Sequence, residues 1–464
     1  MHAYPSNGAG RPSYRRLMRR TSIAALLAGG LMLSACNPTE YLEVTDPDII
    51  NPSDVSSAAG ADAVRLGALT RFNTATSGGE SLLLLGGLFA DEWNNGDSFI
   101  ARQEIDQRVI TPQNSPFLVD ASRNLHRARL ASRQAIDLLR EFSPSAPRWQ
   151  VAEMYFVQAY LENLASEHYC SGLVFSTVEN GASVFGQPMT TVAALTMALA
   201  HADSGLALIT GTTADDVRVR SALQVTKGRI LLNLNRPADA ATAVTGVATG
   251  FQYLTFHSLT TNNNQYWLLG NSAGRYSVSN NEGGTGLNFA TANDPRLPIC
   301  QGNDVACRAI GVTKASRDDL TTPYYVQRLW TAATTSFPLL TGAEARLIEA
   351  EAQLRAGNST ASLATLNALR ATYVGLTPLT DAGTDAARVD QLFRERAFTL
   401  FGRGTRTGDL RRLVRQYSRA AGTVYPTGTW HKGGNYGTDV TIPLPLAETN
   451  NPESGAGVCI DRNA

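Results

Sequence analysis

Apolar residues along the chain fall into two textures. Over 55–75, 115–142, 148–169, 190–209, 216–234, 237–248, 342–356, 359–373 and 386–402 they recur at three- and four-residue intervals, which predicts amphipathic helices. "NPSDV" at 51–55 supplies a helix start, with Asn51 or Ser53 as cap, and "SPSAP" separates two long helices by a proline-broken turn. Between 250 and 336 the periodicity gives way to Asn, Gly, Thr and aromatic residues, which read as loops, turns and short strands. The expected fold class is therefore mainly α. One domain over 51–464 would comprise a helical scaffold at 51–249 and 337–420, a loop-rich, partly irregular ligand-facing region at 250–336, and a C-terminal loop segment at 421–464.

Two of the helical pairs share a finer pattern. Gly228, Leu231, Asn235, Ala240 and Val244 fall at the same offsets as Ala350, Gln353, Gly357, Ser362 and Leu366, 122 residues later. Small residues at the first and fourth positions let antiparallel helices approach, and Asn235 or Gly357 ends the first helix of each pair. This is tetratricopeptide spacing, so the helices are expected to form an α-α superhelix of stacked hairpins. A generic helical hairpin is the plainer alternative. The stripes Ala343, Leu347, Ala350, Leu354 and Leu363, Leu366, Leu369 are core faces rather than a cofactor box.

The amino-terminal pattern differs from all of these. Arg11, Arg15, Arg16, Arg19 and Arg20 precede the short apolar run "IAALLAGGLMLSA" at 23–35. A basic head, a short apolar body and small residues at its end make a signal peptide over 1–35. Leu33-Ser34-Ala35-Cys36 resembles the bacterial lipobox, which implies acylation of Cys36 and a lipidated tether over 36–50. Each buried CH2 of such chains contributes about 0.8 kcal/mol, so several chains anchor durably. A cysteine at the end of an ordinary helix is the bland alternative.

Removing the leader leaves 35 basic against 40 acidic residues, a net charge of −5, which argues against nucleic acid as a partner. Cys170, Cys300, Cys307 and Cys459 then remain, an even number that in an exported chain suggests two disulfides. Cys300 and Cys307 enclose the polar loop "QGNDVA" and are paired here, leaving Cys170 to tie a helix end to Cys459 in the tail. Four cysteines allow three connectivities, so the spacing alone does not fix this one. Zinc is the alternative, but CxxC spacing and clustered histidines are missing, and neither metal nor cofactor is expected.

Several segments together resemble the SusD/RagB family of outer-membrane nutrient-uptake lipoproteins. They are the lipobox followed by "YLEVTDPDIINPSDV", then "NDPRLPI" at 293–299 and "EARLIEAEAQLRAGNSTASLATLNALRA" at 344–371. "RERAFTLFGRGTRTGDLRRLVRQY" at 394–417 and "TIPLPLAETNNP" at 441–452 complete the series in the right order. The resemblance implies a helical scaffold whose loops bind a glycan or a peptide. It implies outer-membrane anchoring through Cys36, facing the cell surface, and a TonB-dependent β-barrel partner of the SusC type. "NPTE" after Cys36 lacks the acidic run many members carry there.

The search for chemistry points to binding rather than catalysis. "GNSAG" at 270–274 matches the nucleophile elbow, with Ser272 as nominal nucleophile, but the elbow needs a helix after it and "RYSVSNNEGGTG" will not form one. Asp91-Glu92 and Asp318-Asp319 are adjacent acids whose side chains diverge, not a facing acid/base couple. Eight arginines between Arg394 and Arg419 read as partners of carboxylates and helix C-termini rather than as an anion site.

A sugar needs a flat apolar face beside hydrogen-bonding side chains. "NNNQYWLLGNSAGRY" at 262–276 offers Tyr266, Trp267, Tyr276 and Arg275; "DEWNNGDSF" at 91–99 offers Trp93, Asn94 and Asp97; "YPTGTWHKGGNYG" at 425–437 offers Trp430 and Tyr436. Trp330, in an alternating stretch, reads as core. The function expected is capture of a nutrient glycan without turnover. The alternatives are a peptide-binding member of the same uptake system, a tetratricopeptide-type interaction scaffold, or a hydrolase built on 262–330. Cys36→Ala is expected to yield unacylated protein; detergent partition should find it in the aqueous phase, and retention in the membrane fraction would contradict the anchor.

Overall fold

Helix caps and proline breaks set the observed element order. The computed structural model describes residues 55–114, 117–179, 182–453 and 459–464; Cys36 and the tether lie outside them. Residues 55–464 make one unit. Its scaffold begins with α1 (Ala58–Thr74), capped by Ser57, then α2 (Leu82–Phe89) and the short strand β1 (Trp93–Asn95). α3 (Ile100–Asp106), α4 (Phe117–Phe142) and α5 (Arg148–His168) follow, and Pro147 stands as the N-cap of α5.

After the hairpin β2 (Thr177–Glu179) and β3 (Ala182–Val184) come α6 (Thr191–Leu208), α7 (Ala214–Asn233) and α8 (Pro237–Ala243). The α7 start is a reciprocal capping box of Thr213 and Asp216, and α8 opens on proline, which lacks an amide hydrogen to satisfy. α6 is long and apolar enough to cross a membrane, yet it packs between α5 and α7 and buries Ala194, Ala198 and Ala202.

The loop-rich region holds β4 (Gln252–Thr255), a π-helical turn at Tyr266–Ser272, β5 (Tyr276–Val278), β6 (Ile299–Gln301), the short α9 (Val305–Arg308) and β7 (Tyr325–Gln327). β8 (Phe337–Thr341) returns the chain to helices α10 (Gly342–Arg355), α11 (Ser359–Arg370), α12 (Asp385–Thr399), α13 (Arg406–Tyr417) and α14 (Ala421–Val424). Among the described residues the strands form antiparallel pairs: β1 with β5, β2 with β3, β4 with β8 and β6 with β7.

The two matched hairpins take the form their spacing predicts. Asn235 and Gly357 both have positive φ, 58° and 78°, and end α7 and α10 respectively. A Cβ on Gly228 would sit 2.7 Å from Val244 Cγ1, so the missing side chain is what lets α8 close on α7. In the second hairpin Ser362 Oγ donates to the Ala350 carbonyl at 2.8 Å, so its small side chain both fits and bonds. The fold is mainly α with tetratricopeptide-like hairpins, as expected.

Boundaries shift where side-chain packing, not periodicity, decides. The third helix pair's second member stops at Ala243 rather than 248, and the helix from 385 stops at Thr399 rather than 402. α2 was not expected: "LLLLGGLF" is buried on every side and shows no amphipathic stripe. α13 was hidden by its polarity, because its arginines point inward.

Those arginines fill the core with paired charge. Asp409 accepts from Arg396 Nε at 2.8 Å and Nη2 at 2.9 Å, and from Arg412 Nη2 at 2.7 Å. Arg412 also donates to Glu351, and Arg406 makes a two-toothed pair with Asp91 at 2.6 and 2.8 Å. Arg411 donates to the Ser166 and Tyr169 carbonyls near the end of α5. Burial alone would raise the Asp409 carboxyl, but Arg396 and Arg412 outweigh it and hold it at about 2.

A depressed folded-state pKa stabilises above the unfolded value near 3.8 and loses that contribution as pH falls through 2. Asp409→Ala leaves two buried guanidinium groups short of their acceptor and is expected to cost about 3–5 kcal/mol in denaturant unfolding at pH 7. The variant should also show a flatter acid limb of the stability curve below pH 4 than the parent. An equal stability at pH 7 would contradict this assignment.

Candidate functional site

Three irregular loops meet over the β1–α3 segment and leave a cleft of about 560 Å3 between them. The first is 280–284, the second 317–325, the third 427–431. Backbone conformation explains how they come so close. Asn281, Gly283 and Gly284 all have positive φ, and a Cβ on Gly283 would sit 2.4 Å from the Thr427 amide nitrogen. Thr285 Oγ1 donates to the Tyr425 carbonyl at 2.8 Å and ties the first loop to the third. The second loop turns at Leu320, where Arg317 N donates to Thr322 O at 2.8 Å.

The third loop is held from beneath by one carboxylate. Asp106 Oδ2 accepts from His431 Nε2 at 2.7 Å, Trp430 Nε1 at 3.1 Å and Asn95 N at 3.0 Å. The other ring nitrogen of His431, Nδ1, is buried and has no hydrogen-bond partner among the described residues. Gln107 and Arg108 extend the same seam by donating to the Asn435, Asp439 and Pro426 carbonyls.

Charge in the cleft is nearly balanced. Arg317 and Glu282 are both buried and stand 3.9 Å apart, and Tyr436 OH donates to Glu282 at 2.8 Å. Burial pushes the Glu282 carboxyl up, Arg317 pulls it down, and Asp106 adds to the rise. Arg317 Nε and Nη1 have no hydrogen-bond partner among the described residues. Tyr325, half-buried on β7, supplies an aromatic ring to the lining, while Asn280, Thr322, Thr427 and Thr429 supply amides and hydroxyls. The arrangement has donors, acceptors and one ring, and no paired nucleophile and base.

The residues singled out in the sequence divide sharply. Trp93, Asn94, Tyr266, Tyr276 and Trp430, read from the sequence as candidate ligand contacts, are all buried in this structure. Trp93 lies 4.7 Å from Phe401, ring to ring, and Tyr266 stacks on Phe337 at 4.8 Å. Tyr276 OH donates to Glu80 at 2.5 Å, and Trp430 is fixed on Asp106. Each ring carries too much apolar surface to leave in water once a core is within reach. They support the loops from below instead of facing outward.

Trp267 is half-buried, Arg275 exposed and Asp97 partly so; Arg275 and Asp97 approach to 3.8 Å beside the cleft, without lining it. Trp330 is core, as read from its alternating stretch. Ser272 is exposed at the end of the π-helical turn and is followed by β5, so the strand–elbow–helix order is not formed there. Asp91 is taken up by Arg406, and burial lifts Glu92 to about 8.

Sequence reasoning missed Arg317, Glu282, Tyr325 and His431. Glu282, Tyr325 and His431 each adjoin a glycine or aromatic that was noticed, Gly283, Tyr324 and Trp430, while Arg317 precedes the acid pair Asp318-Asp319. The cysteines bond as Cys170–Cys459 and Cys300–Cys307.

The SusD family model matches residues 326–450. Solved structures share the fold across most of the chain. A SusD superfamily protein from Parabacteroides distasonis aligns with TM-score 0.64 at 14% identity, covering 85% of this chain and 98% of its own. Another from Bacteroides fragilis aligns with TM-score 0.63 at 16% identity, covering 86% and 99%. A SusD-like carbohydrate binding protein from Bacteroides vulgatus aligns with TM-score 0.58 at 12% identity, covering 76% and 83%. No curated protein matches the sequence. The chain is thus similar to the SusD family over residues 326–450, and it shares its fold with solved SusD superfamily proteins.

Asp106→Ala is expected to free the third loop while leaving the helices intact. Amide exchange over 428–437 should quicken as local opening becomes easier by about 2 kcal/mol, the scale of lost hydrogen bonds to a charged group. Unchanged exchange there would show that Asp106 does not hold the loop.

Proposed function

We propose that this protein is the lipid-anchored substrate-binding subunit of an outer-membrane uptake system, and that the three-loop cleft receives a glycan. The observation that carries the reading is the cleft's complement of groups. Arg317 and Glu282 bring a guanidinium and a carboxylate to the cleft wall, His431 an imidazole, and the rim amides and hydroxyls both donors and acceptors. A sugar hydroxyl both accepts and donates, so one ligand group answers both needs. The half-buried ring of Tyr325 suits the C–H face of a pyranose. The similarity to a SusD-like carbohydrate binding protein agrees with this choice.

The remaining parts of the reading rest on sequence and family. Acyl chains on Cys36 moor the chain to the membrane, with the body at the cell surface. A TonB-dependent barrel of the SusC type takes the cargo, so the protein concentrates substrate and does no chemistry. A peptide is the competing cargo within the same system.

Affinity electrophoresis through pullulan, xylan, arabinogalactan and pectin gels, beside a fluorescent peptide library, separates the two. The wild type should be retarded by at least one polysaccharide. Tyr325→Ala and Arg317→Ala should each weaken that retardation by about tenfold or more, the scale of losing one stacked ring or one buried polar contact. Peptide binding with no polysaccharide retardation would overturn the glycan reading.

A further inference from the structure

The second wall of the cleft does not belong to the main core. Cys300, Cys307, Val312, Tyr324 and Val326 form a separate buried cluster, with Ala306 and Ile310 packed against it. The Cys300–Cys307 bond lies at its centre and closes a short loop. Asp304 caps α9 inside that loop by accepting from Cys307 N at 2.7 Å, and Cys307 O accepts from the amides of Ile310 and Val312. Cys300 stands opposite Val326 in the β6–β7 pair, and Gln301 opposite Tyr325.

Hydrogen bonds and the Asp318–Lys432 ion pair at 2.7 Å tie the cluster to neighbouring segments. Tyr324 OH donates to the Gly270 and Tyr276 carbonyls at 2.7 and 2.8 Å, and Lys314 Nζ donates to the Gly96 and Gly274 carbonyls. Tyr325 exchanges hydrogen bonds with Ser277. Between these moorings lie the cleft residues Arg317, Thr322 and Tyr325. Small apolar clusters bury too little surface to order a segment of this length without a covalent constraint.

We infer that the Cys300–Cys307 disulfide is a positioning device for ligand capture: it orders the 299–326 segment as a satellite that sets Arg317 and Tyr325 in the cleft, independently of the helical scaffold. The inference rests on the reading of the cleft as the ligand site. The other disulfide has a different place. Cys170–Cys459 holds the tail beside α5, where Cys170 N donates to Ile442 O and Ser171 pairs with Asp461.

The test compares the mature wild-type chain with Cys300→Ala/Cys307→Ala and with Cys170→Ala/Cys459→Ala. Cys300→Ser/Cys307→Ser serves if the alanine pair fails to fold. Amide exchange across 310–325 should quicken by at least tenfold in the first pair only, while helical circular dichroism stays at the wild-type level. Retardation in the polysaccharide gel that holds the wild type should fall at least tenfold in the same variant. Wild-type exchange across 310–325, or ordered exchange loss throughout the scaffold, would overturn the inference. If the wild type is retarded by no polysaccharide, the glycan reading fails, and the exchange comparison alone decides whether the staple holds this wall.

Discussion

The structure depends on keeping charge inside a helical core. α10, α12 and α13 meet around Glu351, Arg396, Asp409 and Arg412, all buried and joined by hydrogen bonds. Removing ions from water costs several kcal/mol each, and only dense, directional pairing offsets it. A hydrocarbon cluster of the same volume could be as stable. What the ionic one adds is direction: a guanidinium fork accepts only a narrow range of approach, so the three helices cannot slide past one another. Arg229 with Glu344 and Arg406 with Asp91 repeat the device at the joins with α7 and with the β1 segment. The loops that line the cleft stand on this frame.

Helical hairpins were legible because their constraints are local. Gly228, Asn235, Gly357 and Ser362 each serve a need that is fixed within a dozen residues: a close approach, a left-handed turn, a small contact. The caps at Ser57, Thr213 and Asn358 are equally local, though the sequence reading named Asn51 or Ser53, which lie outside the described residues, for the first of them. α2 escaped notice since a helix buried all round has no stripe, and α13 because its polar face is the buried one. Both failures come from assuming that water lies on the polar side.

The cleft was half legible. Its region and its chemistry, amides and hydroxyls beside an aromatic ring, follow from the composition of 250–336 and 421–437. The individual residues do not, because size was taken as a sign of exposure. Large rings seek the interior, while Tyr325 beside Tyr324, and Thr429 and His431 beside Trp430, reach the cleft. Asp106, at the end of a short helix that periodicity did not reveal, organises the third loop from more than three hundred residues away in sequence. No local rule reports such a partnership.

The absent side chain at Gly283 carries a wider consequence. Its α-carbon abuts the peptide at Thr427, so two walls built from distant parts of the gene share one point of near-contact. Neither wall can be lengthened, swapped or thickened there without displacing its neighbour. Diversification of the cleft would therefore proceed by exchanging the pair together, or by altering the second wall, whose stapled cluster is packed apart from the main core.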